Sequence, residues 1–119
     1  MRLGELIDLL EKSTPVMLVV FDYGKPPGRF ASWRGVYQEL TLTPGKESVR
    51  VRELLAKAKK ADGGVFNGWK GGEFTMSRDT PVWADDYGDF DHRGIIGSKV
   101  SRSKGLVLLT ADLSDYRGW

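Results

Sequence analysis

The chain contains no cysteine and a single histidine, His92, among its 119 residues. Thiol catalysis, disulfides and cysteine-based zinc sites are therefore excluded, and one histidine without cysteine cannot supply the usual zinc ligands. No serine stands in a nucleophile-elbow motif, so the sequence lacks the usual signal of a Ser–His–Asp hydrolase. These absences favour a binding protein over an enzyme, and we expect no cofactor and no bound metal.

Long apolar runs are also missing. The longest, Val16 to Phe21, has the length of a strand, whereas a membrane span needs roughly 18–20 apolar residues. The first residues lead directly into an amphipathic pattern and lack the layout of a secretory signal. We therefore expect a cytosolic protein without a membrane partner.

Neither sign of charge is in large excess, because 18 basic and 16 acidic residues give a formal net charge of +2. This balance does not predict binding to long nucleic acid through the overall field. The charges are nevertheless unevenly distributed: a lysine cluster lies at 57–60, and the segment from Asp85 to Asp91 is acidic. The acidic segment lacks EF-hand spacing. These aspartates could hold a cation loosely, so a small metal-dependent nucleotide hydrolase is an alternative.

The hydrophobic pattern predicts a single α+β domain over residues 1–119, with two helices packed on one mainly antiparallel sheet. Apolar residues recur at helical spacing from Leu3 to Leu10, and again from about Val51 to Lys60. The segment from Gly24 to Gly28 contains two prolines and is predicted to be a loop. Strand patterns lie at 16–23, 73–76, 80–85, 95–101 and 105–111, with an irregular extended segment at 30–43. Because the later strands follow one another without helices between them, we expect antiparallel pairing.

A weak internal repeat runs through this pattern. Glu5-Leu6 in the first helix precedes a strand that ends in Asp22-Tyr23-Gly24. Glu53-Leu54 in the second helix precedes a later strand that ends in Asp86-Tyr87-Gly88. Two such units would make a pseudo-symmetric domain, although the matching residues are too few to establish a duplication.

Two segments combine aromatic residues, glycine and a cation: RFASWRGVY from Arg29 to Tyr37, and FNGWKGGEF from Phe66 to Phe74. Glycine lets a backbone approach a ligand closely, and arginine and lysine bind phosphate. Aromatic rings stack on nucleic-acid bases, which contributes roughly 1–3 kcal/mol per base in single-stranded sites. The composition thus suits a nucleotide-like anion. The predicted ligand-binding residues are Ser32, Trp33, Arg34, Tyr37, Glu39, Trp69, Lys70, Gly71 and Gly72.

In this interpretation Arg34 and Lys70 bind phosphates, the aromatic rings stack on the ligand or line its pocket, and the glycines permit close backbone approach. Ser32 and Glu39 hydrogen-bond a base or ribose edge. The alternative is structural: the rings of Trp33, Tyr37, Trp69 and Trp83 fill the core of a small domain, and the glycines turn the chain. The sequence leaves open whether the two segments meet in space.

Four blocks in order resemble a family of small bacteriophage proteins that has no established activity. They are SWRGVYQEL at 32–40, VRELL at 51–55, GWKGGEFTM at 68–76 and TPVW at 80–83. The resemblance extends from about Leu3 to Leu109 and implies a location in the cytoplasm of an infected bacterium. It suggests, by analogy, a counter-defence sponge, which is a protein that sequesters a nucleotide immune signal without cleaving it.

The analogy extends to homo-oligomeric assembly, and the implied ligands include cyclic oligonucleotides and cyclic ADP-ribose derivatives. The alternative is a protein-interaction inhibitor of a host defence enzyme, because aromatic residues and arginine are enriched at interface hot spots.

Overall fold

The computed structural model describes residues 1–32, 39–67, 72–85 and 93–112. These residues form two α-helices and nine β-strands, which confirms the predicted α+β class. The helices are α1 (Leu3–Lys12) and α2 (Val51–Ala61). The strands are β1 (Leu18–Phe21), β2 (Pro27–Ser32), β3 (Leu40–Pro44), β4 (Val49–Arg50), β5 (Val65–Asn67), β6 (Glu73–Thr75), β7 (Val82–Ala84), β8 (Arg93–Ser101) and β9 (Gly105–Asp112).

Seven of these strands form one mixed sheet in the order β2-β3-β7-β8-β9-β1-β4. The strands β5 and β6 form a separate antiparallel pair, so the prediction of a single sheet is incomplete. Most neighbours in the large sheet are antiparallel, as expected, but β1 pairs with β9 and β3 pairs with β7 in parallel. The prediction of antiparallel pairing considered strands that are adjacent in sequence, whereas each parallel pair joins strands that are far apart in sequence.

Both helices place their apolar faces on the same side of the large sheet. In α1 the buried leucines Leu3, Leu6 and Leu10 follow helical spacing, and in α2 Leu54 and Ala58 do so. In β1 and β3 the facing residues alternate with more exposed ones, as the two-residue period of a strand requires, whereas β7 is buried on both faces. The strands contribute Val19, Phe21, Leu40, Leu42, Val82, Ala84, Ile95, Leu106 and Leu108 to this core.

Several strand boundaries differ from the prediction, and the largest differences lie between Val16 and Gly28. The buried strand predicted at 16–23 is shorter, since β1 begins at Leu18 and the Val16 side chain is 53% exposed. The predicted loop over Gly24–Gly28 ends early, because β2 begins at Pro27, which pairs with Pro44. Proline is tolerated at the first residue of a strand, where its missing N–H does not interrupt the ladder of hydrogen bonds.

The same set of hydrogen bonds holds the start of each helix. The backbone N–H of Arg2 donates to Oε1 of Glu5 over 2.9 Å, and that of Arg50 donates to Oε1 of Glu53 over 3.0 Å. Each glutamate thereby satisfies an N–H group at a helix N-terminus, as the N3 residue of a capping box does. The reciprocal bond of the box is absent because a guanidinium has no acceptor.

Each of these arginines also ties its helix to the segment before a strand. The guanidinium of Arg2 donates to the carbonyl of Asp79 ahead of β7, and that of Arg50 donates to the carbonyl of Val16 ahead of β1. In both helices the next two backbone amides donate to the carbonyls on either side of that acceptor. The weak repeat in the sequence thus has a structural counterpart, in which α1-β1-β2-β3 and α2-β7-β8-β9 are equivalent units.

The hairpin of β5 and β6 interrupts this repeat. The connection from α1 to β1 consists only of residues 13–17, whereas the hairpin is inserted between α2 and β7. The two parallel pairs also join the units, because β9 of the second unit pairs with β1 of the first, and β3 of the first pairs with β7 of the second. The units are therefore interleaved in a single sheet.

Gly105 lies where the β8–β9 hairpin meets β1, and it offers a stability test. Its φ is +90°, and a Cβ there would lie 2.3 Å from the carbonyl oxygen of Leu18. Gly24 has the same φ but nothing within 4 Å of a built Cβ. We expect Gly24→Ala to lower the free energy of unfolding by about 1–2 kcal/mol, the cost of left-handed backbone. Gly105→Ala should lower it by distinctly more, because the backbone of β1 must also shift. Urea unfolding of both variants measures the difference, and equal losses would contradict the contact.

Candidate functional site

The structure describes three of the nine predicted ligand-binding residues: Ser32, Glu39 and Gly72. The other six, Trp33, Arg34, Tyr37, Trp69, Lys70 and Gly71, lie outside the described residues, as does His92. Of the four aspartates between 85 and 91, Asp85 alone is described. The predictions for the remaining residues stay predictions.

The three described residues occupy different environments. Ser32 is the half-buried last residue of β2 and pairs with Leu40. Gly72 is exposed directly before β6 and has a φ of +96°, a conformation that glycine adopts without strain. Glu39 is half-buried, and its Oε1 accepts a hydrogen bond from the indole Nε1 of Trp83 over 3.0 Å. Trp83 is 3% exposed, so the structural interpretation is confirmed for this tryptophan.

The described starts of both aromatic–glycine segments line one groove. Arg29 and Phe30 come from the first segment in β2, and Phe66 comes from the second segment in β5. The opposite wall is the last part of α2. We call this cavity of about 480 Å³ the aromatic groove, and its lining residues are Arg29, Phe30, Lys57, Lys60, Ala61, Gly64, Val65 and Phe66.

The lining of the aromatic groove joins positive charge to aromatic surface. Its charged residues are Arg29, Lys57 and Lys60, and no carboxylate occurs among the described residues that line it. Phe30 and Phe66 are partly buried and pack against the core, which fixes their rings at the groove. A site with convergent cations and ring surface suits a small anion that carries an aromatic group.

Lys57 is positioned by a backbone contact. Its Nζ donates to the carbonyl oxygen of Gly28 over 2.8 Å. An ammonium has three N–H donors, so this bond leaves donors for a ligand. Lys57 also lies three residues before Lys60 on one helix, a spacing that places both side chains on the same face.

A second cavity, of about 370 Å³, also has Lys57 in its lining. Its lining residues are Pro27, Gly28, Gly45, Lys46, Glu47, Ser48, Val49, Glu53 and Lys57. Two lysines and two glutamates face this space, and we call it the mixed-charge cavity. Its charges are balanced, in contrast to the aromatic groove.

The lysine cluster at 57–60 is evident in the sequence, but its position beside the aromatic segments is not. The available signal was the spacing of Lys57 and Lys60 on one helical face. That spacing predicts a cationic edge on the helix, but it does not identify the strand that the edge faces.

Two further findings apply to the described part of the chain. No group of three or more histidine, aspartate or glutamate side chains there could hold a metal ion. Among the same residues, no helix is both long enough and apolar enough to cross a membrane.

No protein-family model, curated protein or solved structure matches the chain. The resemblance to bacteriophage proteins therefore stays a prediction based on the four sequence blocks.

The bond between Glu39 and Trp83 predicts a structural role for this carboxylate. Glu39→Ala removes the acceptor for a buried indole N–H and should lower the free energy of unfolding by about 1–3 kcal/mol. Glu39→Gln keeps a carbonyl oxygen in the same position and should lose clearly less. Urea unfolding of the two variants measures the contrast. Equal losses would show that the hydrogen bond does not stabilise the protein. If Glu39→Gln lost ligand binding while it kept its stability, that result would favour the predicted ligand contact.

Proposed function

We propose that this protein is a non-catalytic binding protein for a small anionic ligand of the nucleotide class, which it sequesters. The observation that supports this proposal is the aromatic groove, whose lining contains Arg29, Lys57 and Lys60 together with two phenylalanine rings. Phosphate oxygens accept charge-assisted hydrogen bonds from such cations, and a base stacks on an aromatic face. The volume of about 480 Å³ lies within the range of small-molecule pockets, about 300–1,000 Å³.

The inserted hairpin supports the same location. The two units share the order of one helix and three strands and the same contacts at the helix start, but the β5–β6 hairpin is added only beside α2. This addition contributes Val65 and Phe66 to the wall of the groove. Lys12 is in the last turn of α1, as Lys60 is in α2, but no such hairpin follows α1. The element that distinguishes the units is thus an element that builds the groove.

Sequestration is the part of the proposal that rests on the resemblance to bacteriophage proteins. The groove presents hydrogen-bond donors and rings, which hold an anion without any chemical step. A hydrolase would draw on the acidic segment from Asp85 to Asp91, of which Asp85 alone is described and does not line the groove. A counter-defence sponge needs only to hold its ligand without cleaving it.

The two equivalent lysines provide a matched test. Lys60→Ala should weaken binding of a nucleotide ligand by about tenfold, or about 1.4 kcal/mol, because one charge-assisted contact is lost. Lys12→Ala removes the same charge from the equivalent helix turn and should leave affinity unchanged. Isothermal titration with a panel of mononucleotides, cyclic nucleotides and ADP-ribose derivatives identifies the ligand and measures both variants.

The fate of the ligand separates binding from turnover. We expect mass spectrometry after denaturation to recover the bound molecule intact. Conversion of the ligand would contradict sequestration, and equal losses in Lys12→Ala and Lys60→Ala would contradict the location of the site.

A further inference from the structure

We infer that the ligand is longer than a mononucleotide and extends past Lys57 into the mixed-charge cavity, as a phosphodiester-linked dinucleotide would. This inference rests on the proposed function and specifies the class of ligand. Its basis is that Lys57 lines both the aromatic groove and the mixed-charge cavity, and we call the two cavities together the trough.

The helix side of the trough is continuous. Glu53 and Lys57 line the mixed-charge cavity, and Lys57 and Lys60 line the aromatic groove. These three residues follow one another at intervals of four and three residues, so they form one stripe along α2. Lys57 occupies the middle of the stripe and faces both cavities.

On the strand side, the linings of the two cavities meet at adjacent residues. Gly28 lines the mixed-charge cavity, and the next residue, Arg29, lines the aromatic groove. The bond from Lys57 to the Gly28 carbonyl links the helix to the strand at this junction. A ligand that spans both cavities must therefore displace this bond or lie over it, in contact with the Lys57 ammonium.

Bare backbone lines the mixed-charge cavity next to this junction. A Cβ built on Gly28 or on Gly45 would lie 3.0 Å from the Cα of the other glycine, so the two chain segments are in close contact. Neither position has room for a side chain unless its neighbour moves. Glycine at both positions thus permits the close approach of the two chain segments that line the cavity.

The division of charge assigns the parts of the ligand. The aromatic groove has three cations and two rings, which suit a base with a phosphate next to Lys57. In the mixed-charge cavity Lys46 is offset by Glu47 and Glu53, and Ser48 adds a hydroxyl. Carboxylates accept hydrogen bonds from ribose hydroxyls but repel a second phosphate. The second nucleoside therefore suits this cavity, and the linking phosphodiester suits Lys57.

The different charges of a mononucleotide and a dinucleotide allow recognition of charge to be distinguished from recognition of length. A phosphodiester carries one negative charge, whereas a terminal phosphate carries about −1.5 to −2 at pH 7. A site that recognised only charge would bind adenosine monophosphate more tightly than the dinucleotide ApA. We expect the opposite: ApA should bind at least about tenfold more tightly, equivalent to about 1.4 kcal/mol.

The experiment is isothermal titration of the full chain with adenosine, adenosine monophosphate, ApA and ApApA. Affinity should rise as far as ApA and then level off, because the trough has two cavities. Ser48 is exposed at the mixed-charge cavity, so Ser48→Trp should fill that space, remove the advantage of ApA and leave adenosine monophosphate unaffected. The length series needs no variant and stands even where Ser48→Trp does not fold.

The two proposals fail in different ways. If adenosine monophosphate binds as tightly as ApA, the two-cavity ligand is wrong while the proposed function stands. If ApApA binds much more tightly than ApA, the inferred length is wrong. If neither these ligands nor the nucleotide panel bind at about 1 mM, the proposed function fails and the inference fails with it.

Discussion

Two parallel strand pairs hold the large sheet together, and both join the first half of the chain to the second. β1 of the first unit pairs with β9 of the second, and β3 of the first pairs with β7 of the second, so the large sheet contains strands of both units. The rest of the structure depends on this interleaving. The common core needs both helices on one continuous face, and the trough runs between α2 of the second unit and β2 of the first. These parallel pairs therefore hold the two walls of the candidate site in one sheet-based domain.

Local sequence predicted the local elements well. Both helices begin where predicted and end at Lys12 and Ala61. Their positions were predictable because apolar spacing and helix-breaking residues are signals that extend over only a few positions. The β8–β9 hairpin was predictable for the same reason, since two strand patterns flank a short polar connection. The parallel pairs and the separate β5–β6 sheet were not predictable. Periodicity shows which face of a strand is buried, but it does not show which distant strand lies beside it.

The candidate site divides in the same way. Composition alone drew attention to the segments that contain Arg29, Phe30 and Phe66, and these residues line one groove. Lys57 was noted only as part of the lysine cluster at 57–60, because its contact with Gly28 lies 29 residues away in sequence. Glu39 was predicted as a ligand residue, although its carboxylate accepts from Trp83, 44 residues later. In both cases the tertiary partner, and not the neighbouring sequence, decides what the side chain contacts.

The β5–β6 hairpin, which supplies one wall of the groove, has a consequence for dynamics. Each strand has three residues, Val65 is 57% exposed, and two-stranded hairpins are marginally stable by themselves. Main-chain bonds between Met76 and Gly63 and Gly64 anchor its base. Its amides should therefore exchange with solvent through local opening at a free energy well below that of the seven-stranded sheet. A ligand seated between the hairpin and α2 would slow that exchange selectively, so recognition at the groove is coupled to the local folding equilibrium of its own wall.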